Sequence, residues 1–379
     1  MTRLRVYLIE PWLGGSHQAW AEGYARSSRH EVHVLGLGDA HWRWRLRGGA
    51  VTLAQQVADL ATAVGRPDVV LASSMLDLPA FLGHCRRPLA DAAVCLYLHE
   101  TQPARANLTG EPLDGDFAYR NWSSMVVADH TFVNSDFHRR KLFEALPALL
   151  QAAPDHRHTH LIAPVEGRTT VLPVGVAVEA LVSTDRPDDD GGPPLVLWNH
   201  RWDHDKAPEV FFRALRRLDH DGVAFRLALA GANVRSDPRE FVEAEERFVD
   251  RLVHVGHLDR ERYLELLVRS SVVASTAVHE FFGIAMVEAM AAGLVPLLPR
   301  ALSYPELVAR EFQAAVLYDS YGDLVRRLRE VLVDLDAARQ AIDGLRKSML
   351  RFDWTELGPA YDAALTAVVS GGQPDEVPL

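Results

Sequence analysis

Short apolar runs alternate with longer amphipathic stretches through the first part of the chain. Apolar runs of this length are typical of buried strands in a parallel sheet, and the stretches between them are typical of crossover helices. The predicted strands are residues 4–9, 31–35, 68–72, 93–98 and 130–133. Two of the intervening helices are predicted at residues 18–26 and 54–64.

The alternation stops at residues 183–194, where proline, glycine and consecutive aspartates replace the apolar positions and predict a linker. A second alternation then begins. Its strands are predicted at residues 195–199, 224–230, 252–255, 272–275 and 295–298, and its helices at 208–219, 239–248, 260–269 and 284–292. We therefore predict an α/β protein of two facing Rossmann-like domains with a cleft between them. The predicted domains are residues 1–182 and 195–355, and 356–379 form a C-terminal helix and tail.

Composition agrees with this organisation. The 379 residues exceed what one hydrophobic core usually supports, and the 48% hydrophobic and 24% charged fractions are those of a soluble globular protein. Cys85 and Cys95 are too few for a disulfide framework or a cysteine-built metal site. The first apolar run stops at Glu10 without a signal-peptide cleavage site, and no run is long enough to cross a bilayer. These features predict a cytoplasmic protein that does not enter a membrane.

The net charge of −11 argues against broad affinity for nucleic acid, although an acidic protein can still contain a local basic surface. Lysine occurs only at positions 141, 206 and 347. A lysine within a motif is therefore informative in this chain.

The strongest motif is residues 279–293, where a strand end passes through a glycine turn into a helix that Gly293 closes. We expect the amides of Phe282, Gly283 and Ile284 to face an anion at the helix N-terminus. Glu280 and Glu288 could then bind hydroxyl groups on either side of that anion. The alternative is that Glu280 only starts the helix and Glu288 lies on its solvated face.

A second motif, residues 198–206, directly follows the first strand of the second domain. Arg201 and Lys206 can converge there on a diphosphate and stabilise a leaving nucleoside diphosphate. A loop of mixed charges is the alternative. Asp203 and Asp205 could be considered metal ligands, but two cations flank them, and we predict no metal site.

Two strand ends of the first domain also contain candidate binding residues. Gly14 and Gly15 permit close approach of the backbone to a phosphate or a sugar, although the full dinucleotide fingerprint is absent. His99 ends another strand within a polar cluster. It is either a structural histidine or a contact to the sugar or the reacting hydroxyl.

Cations and aromatic side chains alternate at residues 41–47, in Trp42, Arg43, Trp44 and Arg45 among others. Arginine binds phosphates and tryptophan stacks on unpaired bases, a combination used by proteins that bind RNA. A strand edge with alternating faces is the alternative.

Together, the two motifs of the second domain resemble those of the retaining GT-B glycosyltransferases of the glycogen synthase-like superfamily. That group has an arginine and a lysine after the first strand of its C-terminal domain, and two glutamates that Glu280 and Glu288 match in spacing. The resemblance covers most of the second domain.

A narrower resemblance, to the tRNA-queuosine α-mannosyltransferases, extends through almost the whole chain. The shared segments are residues 14–17, 42–45, 72–75, 98–102, 154–157, 200–206, 279–283 and 304–306. It implies GDP-mannose as donor, queuosine at the tRNA wobble position as acceptor, and no required metal or cofactor.

The resemblance also implies roles for individual residues. The catalytic residues would be His99, Arg201, Lys206 and Glu280. The donor would be bound by Gly14, Gly15, Phe282, Gly283, Ile284 and Glu288. The acceptor or RNA would be bound by His17, Trp42, Arg43, Trp44, Arg45, Glu100 and Gln102. The first domain would thus be the acceptor-side domain and the second the nucleotide-sugar-binding domain.

Three alternatives remain open at this point. The same fold could transfer a sugar to a lipid or a small molecule, or the chain could be a nucleotide-sugar epimerase, which would need no acceptor. A noncatalytic RNA-binding module would bind tRNA without consuming a nucleotide sugar.

Overall fold

The computed structural model describes residues 2–110, 112–187, 191–233, 239–377 and 379. The chain divides into two compact units, Met1–Val176 with Trp354–Leu379, and Ala177–Asp353. Residues 188–190, the aspartates of the predicted linker, lie outside the described residues.

Two parallel sheets confirm the predicted α/β class. The strands are β1 (Arg5–Leu13), β2 (Glu31–Gly38), β3 (Val69–Ser73), β4 (Ala93–Leu98), β5 (His130–Val133), β6 (Thr169–Val171), β7 (Leu195–Trp198), β8 (Arg226–Ala230), β9 (Leu252–Gly256), β10 (Val272–Ala274), β11 (Val295–Pro299) and β12 (Leu317–Tyr318). Among the described residues, β1 to β6 form the sheet of the first unit and β7 to β12 that of the second.

The helices fill the connections between these strands. They are α1 (Gly15–Ser27), α2 (Trp42–Val64), α3 (Leu78–His84), α4 (Gln102–Thr109), α5 (Gly115–Val127), α6 (Asp136–Gln151), α7 (Ile162–Glu166), α8 (Glu179–Ser183), α9 (Pro208–His220), α10 (Arg239–Arg247), α11 (Arg260–Arg269), α12 (Ile284–Ala291), α13 (Tyr304–Leu307), α14 (Arg310–Val316), α15 (Tyr321–Val333), α16 (Leu335–Gln340), α17 (Leu345–Ser348) and α18 (Trp354–Val369). Short 3₁₀ turns lie at Thr159–Leu161, His204–Lys206 and Met349–Phe352. Among the described residues, no helix is both long and apolar enough to span a membrane.

The strand orders locate the binding edge of each sheet. The first sheet has the order β2-β1-β3-β4-β5-β6, and the second has β12-β11-β10-β7-β8-β9. The order reverses between β1 and β3 in the first sheet and between β7 and β10 in the second. Open parallel sheets bind ligands beyond the carboxyl ends of the strands at such a reversal. The motifs that follow β1, β7 and β10 therefore lie where ligands are expected.

Residues 42–47 are helical and His41 directly precedes them, so the alternative of a strand edge is wrong. Helix α2 begins at Trp42, twelve residues before the start predicted at residue 54. The additional turns pack Leu46, Ala50 and Leu53 into the core, because these positions lie three to four residues apart. Gly48 and Gly49 interrupt the local preference for helix, and tertiary packing overrides it.

The boundary between the units differs from the predicted one. The second unit begins at Ala177, so α8 belongs to it, whereas we predicted a boundary at residue 182 and a linker beyond it. The carboxylate of Asp353 accepts hydrogen bonds from the amides of Val178 and Glu179, both at 2.8 Å. Arg186, within the predicted linker, donates to the carbonyl of Ala292 at 2.8 Å. These contacts fix the segment to the second unit.

The C-terminal helix α18 packs in the first unit, against α1. Trp354 lies so close to the backbone of Gly23 and Gly175 that a Cβ atom at either glycine would overlap its indole ring. The buried carboxylate of Asp362 accepts hydrogen bonds from the Tyr24 hydroxyl at 3.0 Å and the Arg29 amide at 2.8 Å. The last helix is therefore an integral part of the first unit.

Candidate active site

The loop after β7 places Lys206 in a buried, anionic position. Its ammonium donates to the carbonyl of His279 at 2.9 Å and lies 3.3 Å from Glu280 and 3.5 Å from Asp205. Only 7% of the residue is exposed. Lys206 therefore joins the loop after β7 to the loop after β10, across the reversal of strand order.

The backbone around Lys206 is held under local strain. Ala207 has a φ of 45°, a left-handed conformation that is costly for a residue with a side chain. The hydroxyl of Thr276 donates to the carbonyls of Lys206 and Ala207, at 2.9 and 3.0 Å. The loop after β10 thus stabilises the turn at Lys206 and Ala207 and thereby fixes the orientation of the Lys206 side chain.

Arg201 differs from Lys206 in its exposure. Its guanidinium is half-exposed and lies 3.8 Å from Asp203 and 3.9 Å from Asp205. Burial alone would raise the pKa of Asp205, but His279, Lys206 and Arg201 hold it well below its ordinary value. Asp205 is thus an anion that orients these cations, which accounts for its position without a metal.

Several buried polar atoms beside Lys206 have no hydrogen-bond partner among the described residues. They are Oδ1 of Asn199, Nε2 of His200 and Nε2 of His279. Burial, with the nearby charge of Lys206, lowers the pKa of His200 to about 3, so the imidazole is neutral. Buried polar atoms are normally satisfied, and a group of unsatisfied ones is the expected signature of a polar ligand site.

Glu280 lies at the turn that leads into α12. Burial alone would raise its pKa, but Lys206 outweighs that effect and holds the pKa below its ordinary value. We predicted that the amide of Phe282 faces an anion, but it donates a hydrogen bond to a carboxylate oxygen of Glu280 at 3.4 Å and is therefore already engaged. Gly283 has a φ of 106° and immediately precedes α12, where the amides of Gly283 and Ile284 belong to the first turn, which lacks intrahelical partners.

Glu288 is buried within α12, so the alternative of a solvated face is wrong. Its carboxylate accepts a hydrogen bond from Arg260 at 2.6 Å. Burial raises the pKa of Glu288, and Arg260 opposes the rise. Asn199 donates to the hydroxyl of Tyr263 at 3.1 Å and to the carbonyl of Ala285 at 3.0 Å, which connects the end of β7 to α11 and α12.

In the first unit, Glu10, His17 and His99 form a compact cluster at the carboxyl ends of β1 and β4. The fully buried carboxylate of Glu10 contacts Nδ1 of His17 at 2.9 Å and accepts the amide of Trp12, also at 2.9 Å. The rings of His17 and His99 lie 4.3 Å apart. Nε2 of His99 is buried and has no hydrogen-bond partner among the described residues.

The two imidazoles of this cluster have opposite protonation tendencies. Burial alone would lower the pKa of His17, but Glu10 outweighs it and raises the pKa. Burial, with His17 and His138 nearby, holds the pKa of His99 well below its ordinary value. The raised pKa of His17 favours its protonated form, and beside it lies a neutral His99 whose free nitrogen can accept a hydrogen bond from a ligand hydroxyl.

The remaining predicted residues of the first unit lie around this cluster. Gly14 and Gly15 directly follow β1, and a Cβ atom at Gly14 would overlap the side chain of Asp39. Glu100 follows His99 and lies 3.8 Å from Arg105. The amide of Gln102, the first residue of α4, donates to Oδ1 of Asn121 at 3.3 Å.

The aromatic and basic residues at the start of α2 are exposed. The relative exposure is 42% for Trp42 and 64% for Trp44. The guanidinium of Arg43 lies 5.2 Å from the centre of the Trp42 ring, and Arg45 donates to the carbonyl of Gly38 at 3.1 Å. Large exposed aromatic side chains beside arginines are suited to stacking on bases and binding phosphates.

The ligand atoms of Glu10, His17 and His99 lie within 4.8 Å of one another, the only group in the described part of the chain that could hold a metal. The hydrogen bond between Glu10 and His17 already compensates the charge of both groups. The absence of a metal requirement stays a prediction.

Sequence reasoning missed several residues that the structure places beside the predicted ones. Glu10 was considered only as the end of an apolar run, and Tyr263 and Arg260 belong to a helix with no motif of its own. No local signal identifies them, because their importance arises from tertiary contacts with His17 and Glu288.

Comparison with known proteins is consistent with this geometry. The model of the N-terminal region of tRNA-queuosine alpha-mannosyltransferases matches residues 5–176, and that of group 1 glycosyl transferases matches residues 184–348. A tRNA-queuosine alpha-mannosyltransferase of Drosophila melanogaster is 31% identical over 332 residues, which are 85% of each chain.

Solved structures agree on the fold. A sucrose-phosphate synthase of Thermosynechococcus elongatus has a TM-score of 0.71 at 16% identity, covering 98% of this chain and all of that one. The catalytic domain of starch synthase IV of Arabidopsis thaliana has a TM-score of 0.73 at 12% identity, covering 97% of this chain and all of that one.

The two Rossmann-like units and the match to the group 1 glycosyl transferases define a glycosyltransferase with the GT-B fold. The match at 31% identity is far above the fold-level similarity of the solved structures. The chain belongs to the tRNA-queuosine alpha-mannosyltransferase family.

Proposed function

We propose that the protein transfers mannose from GDP-mannose to queuosine at the wobble position of tRNA. Membership of the family supports the sugar and the acceptor. The observation that carries the donor half is the buried Lys206, held between Glu280 and Asp205 beside unsatisfied polar atoms.

Each unit contributes its own part to this reaction. In the second, Arg201 and Lys206 bind the diphosphate together with the amides of Gly283 and Ile284, Glu280 binds sugar hydroxyls, and Glu288 binds the ribose hydroxyls. The two cations stabilise negative charge on the leaving nucleoside diphosphate, which is the main electrostatic requirement of the transfer.

In the first unit, residues at the ends of the strands and at the start of α2 bind the acceptor. Trp42 and Trp44 stack on bases, while Arg43 and Arg45 bind phosphates. Neutral His99 accepts a hydrogen bond from a hydroxyl of the sugar or of the acceptor. His17, Glu100 and Gln102 contribute further polar contacts, and Gly14 and Gly15 allow close approach to the donor.

The transfer retains the anomeric configuration by front-face attack. The acceptor oxygen forms a bond to the anomeric carbon as the bond to the GDP oxygen breaks, and the leaving phosphate accepts the acceptor's proton. The reaction requires no metal or other cofactor, and the protein works in the cytoplasm, where its tRNA is found.

The experiment supplies purified protein with GDP-mannose and queuosine-containing tRNA, then digests the RNA and measures the mass of its nucleosides. We expect queuosine heavier by one hexose, with equal yield in excess EDTA. Transfer RNA with guanosine at the wobble position is the matched control and should gain no mass. Release of GDP without modified queuosine would contradict the proposal that queuosine is the acceptor. Absence of GDP release would contradict the proposal that GDP-mannose is the donor.

A further inference from the structure

Positive charge is concentrated in α2, α3 and the turns that follow them in the first unit. Residues 42–66 and 78–91, which contain α2, α3 and the turns after them, have Asp59 and Asp91 as their acidic residues. Their arginines are Arg43, Arg45, Arg47, Arg66, Arg86 and Arg87. The six arginines and two aspartates give these two stretches a net charge of +4, within a chain whose net charge is −11. We call this surface the α2–α3 face, because the two helices pack against each other.

Three of these arginines lie at the far end of the face. Arg66, Arg86 and Arg87 line a surface depression together with Ala90. Arg86 and Arg87 are exposed and have no ion-pair partner among the described residues. The guanidinium of Arg66 lies 3.6 Å from the exposed carboxylate of Asp91. The depression thus has an excess of positive charge that the protein itself does not neutralise.

Within the first unit, the depression and the exposed Trp42 lie at opposite ends of α2. Helix α2 has 23 residues, so it is about 34 Å long at 1.5 Å per residue. It begins at the exposed Trp42, whereas Arg66 follows its other end and contacts Arg5 at the start of β1. The basic residues of the face are therefore grouped at both ends of α2. One group lies near the carboxyl ends of the strands of the first sheet, and the other lies near their amino ends.

We propose that the α2–α3 face binds the phosphate backbone of tRNA at a distance from the modified nucleotide, with Arg66, Arg86 and Arg87 as the distal contacts. This inference rests on the proposed function, since it extends the RNA contact beyond the start of α2. Arginine forks bind phosphate oxygens in pairs, and such contacts fix register without selecting sequence. A structured RNA has phosphates at both ends of such a span, which a nucleoside or a short loop does not.

The test is the double variant Arg86→Ala/Arg87→Ala, with Arg216→Ala/Arg217→Ala as the matched control. Arg216 and Arg217 are likewise adjacent and exposed, but they lie on α9 of the second unit. We expect the KM for queuosine-containing tRNA to rise about tenfold in the first variant, with kcat unchanged. The dependence of log affinity on log salt should become shallower by about two units, one for each lost phosphate contact. The control variant should match the wild type in its KM for tRNA and in the salt dependence of its affinity.

A short oligonucleotide of the queuosine-containing anticodon loop separates distal from local effects. Its kcat/KM should be the same for wild type and the Arg86/Arg87 variant. An equal loss of kcat/KM on the loop and on tRNA, or an unchanged KM and salt slope for tRNA, would overturn the proposal.

Filter binding of tRNA measures the same contacts without turnover. Wild-type protein that binds tRNA through these arginines but transfers no sugar would contradict the proposed function alone. An acidic protein that binds this face while tRNA does not would contradict the inference.

Discussion

The carboxylate of Glu10 lies 2.9 Å from Nδ1 of His17, and no part of Glu10 reaches solvent. A buried carboxylate needs a compensating positive charge, and His17 provides it. Burial is the main cause that lowers the pKa of His99, and His17, whose ring lies 4.3 Å from that of His99, lowers it further. One buried residue of β1 thus raises the pKa of His17 directly and acts on His99 through it.

Replacing Glu10 with glutamine should lower the pKa of His17, because the charge that raises it is removed. A group whose pKa is raised by folding stabilises the protein below its unfolded pKa, about 6.5, and this contribution is lost as pH rises through the folded pKa. We expect Glu10→Gln to cost roughly 1–3 kcal/mol at about pH 6 and less at about pH 9. Urea unfolding at both pH values and an NMR titration of His17 measure the effect. A cost independent of pH would contradict the assignment.

Lys206→Ala should reduce turnover and stability together. Loss of the cation removes stabilisation of the leaving diphosphate, for which we expect kcat to fall about 10²–10³-fold. It also leaves the carboxylates of Asp205 and Glu280 without their shared ammonium, at a cost of about 3–5 kcal/mol. Exposed Lys347 offers the control, and Lys347→Ala should change neither quantity. Steady-state kinetics measure the change in kcat, and thermal unfolding followed by circular dichroism measures the change in stability. Full turnover by folded Lys206→Ala would exclude the lysine from the mechanism.

Binding of GDP should weaken as pH falls through the pKa of Glu288, because the protonated carboxyl accepts fewer hydrogen bonds from ribose hydroxyls. Arg260 opposes the rise that burial imposes on this pKa. In Arg260→Ala the pKa of Glu288 should therefore be higher, and the loss of binding should begin at a higher pH. Calorimetric titration with GDP across a pH series measures the shift. Identical profiles for the two proteins would show that Glu288 does not bind the nucleotide as a carboxylate.

Gly283→Ala and Gly256→Ala separate backbone strain from a local role in binding. The φ values are 106° and 107°, so each substitution should cost about 1–2 kcal/mol of stability. A Cβ atom at Gly283 would also lie 3.2 Å from Leu307 and 3.3 Å from Tyr304. A Cβ atom at Gly256 would have no neighbouring atom within 4 Å. Only Gly283→Ala should displace the first turn of α12 and raise the Kd for GDP, by roughly tenfold. Equal Kd values in both variants would remove this turn from the donor site.

The sequence predicted what local patterns encode. The strands Ala93–Leu98 and His130–Val133 have the predicted bounds, because an apolar run flanked by polar residues marks a buried strand. Strands β6 and β12 present no such run, because two of the three residues of β6 are threonines and β12 has only two residues. The start of α2 was missed because its alternating cations and aromatic residues, followed by two glycines, do not favour a helix locally.

The candidate site was predictable where its residues follow a strand in a charged or glycine-containing motif, as Lys206 and Glu280 do. Glu10 and Arg260 could not be found in this way. Each acquires its partner only on folding: the turn from β1 into α1 brings His17, seven residues along the chain, onto Glu10, and Arg260 of α11 contacts Glu288 of α12. Tertiary contact, not local sequence, makes them part of the site.

Helix α18 completes the first unit although it is encoded after the second. During synthesis, the contiguous segment Ala177–Asp353 is available to fold before Trp354 and Asp362 exist. In the first unit, Gly23 and Gly175 lack their contact with Trp354, and Tyr24 lacks its hydrogen bond to Asp362, until α18 emerges from the ribosome. The unit whose synthesis starts first can therefore be completed only after the second unit has been synthesised.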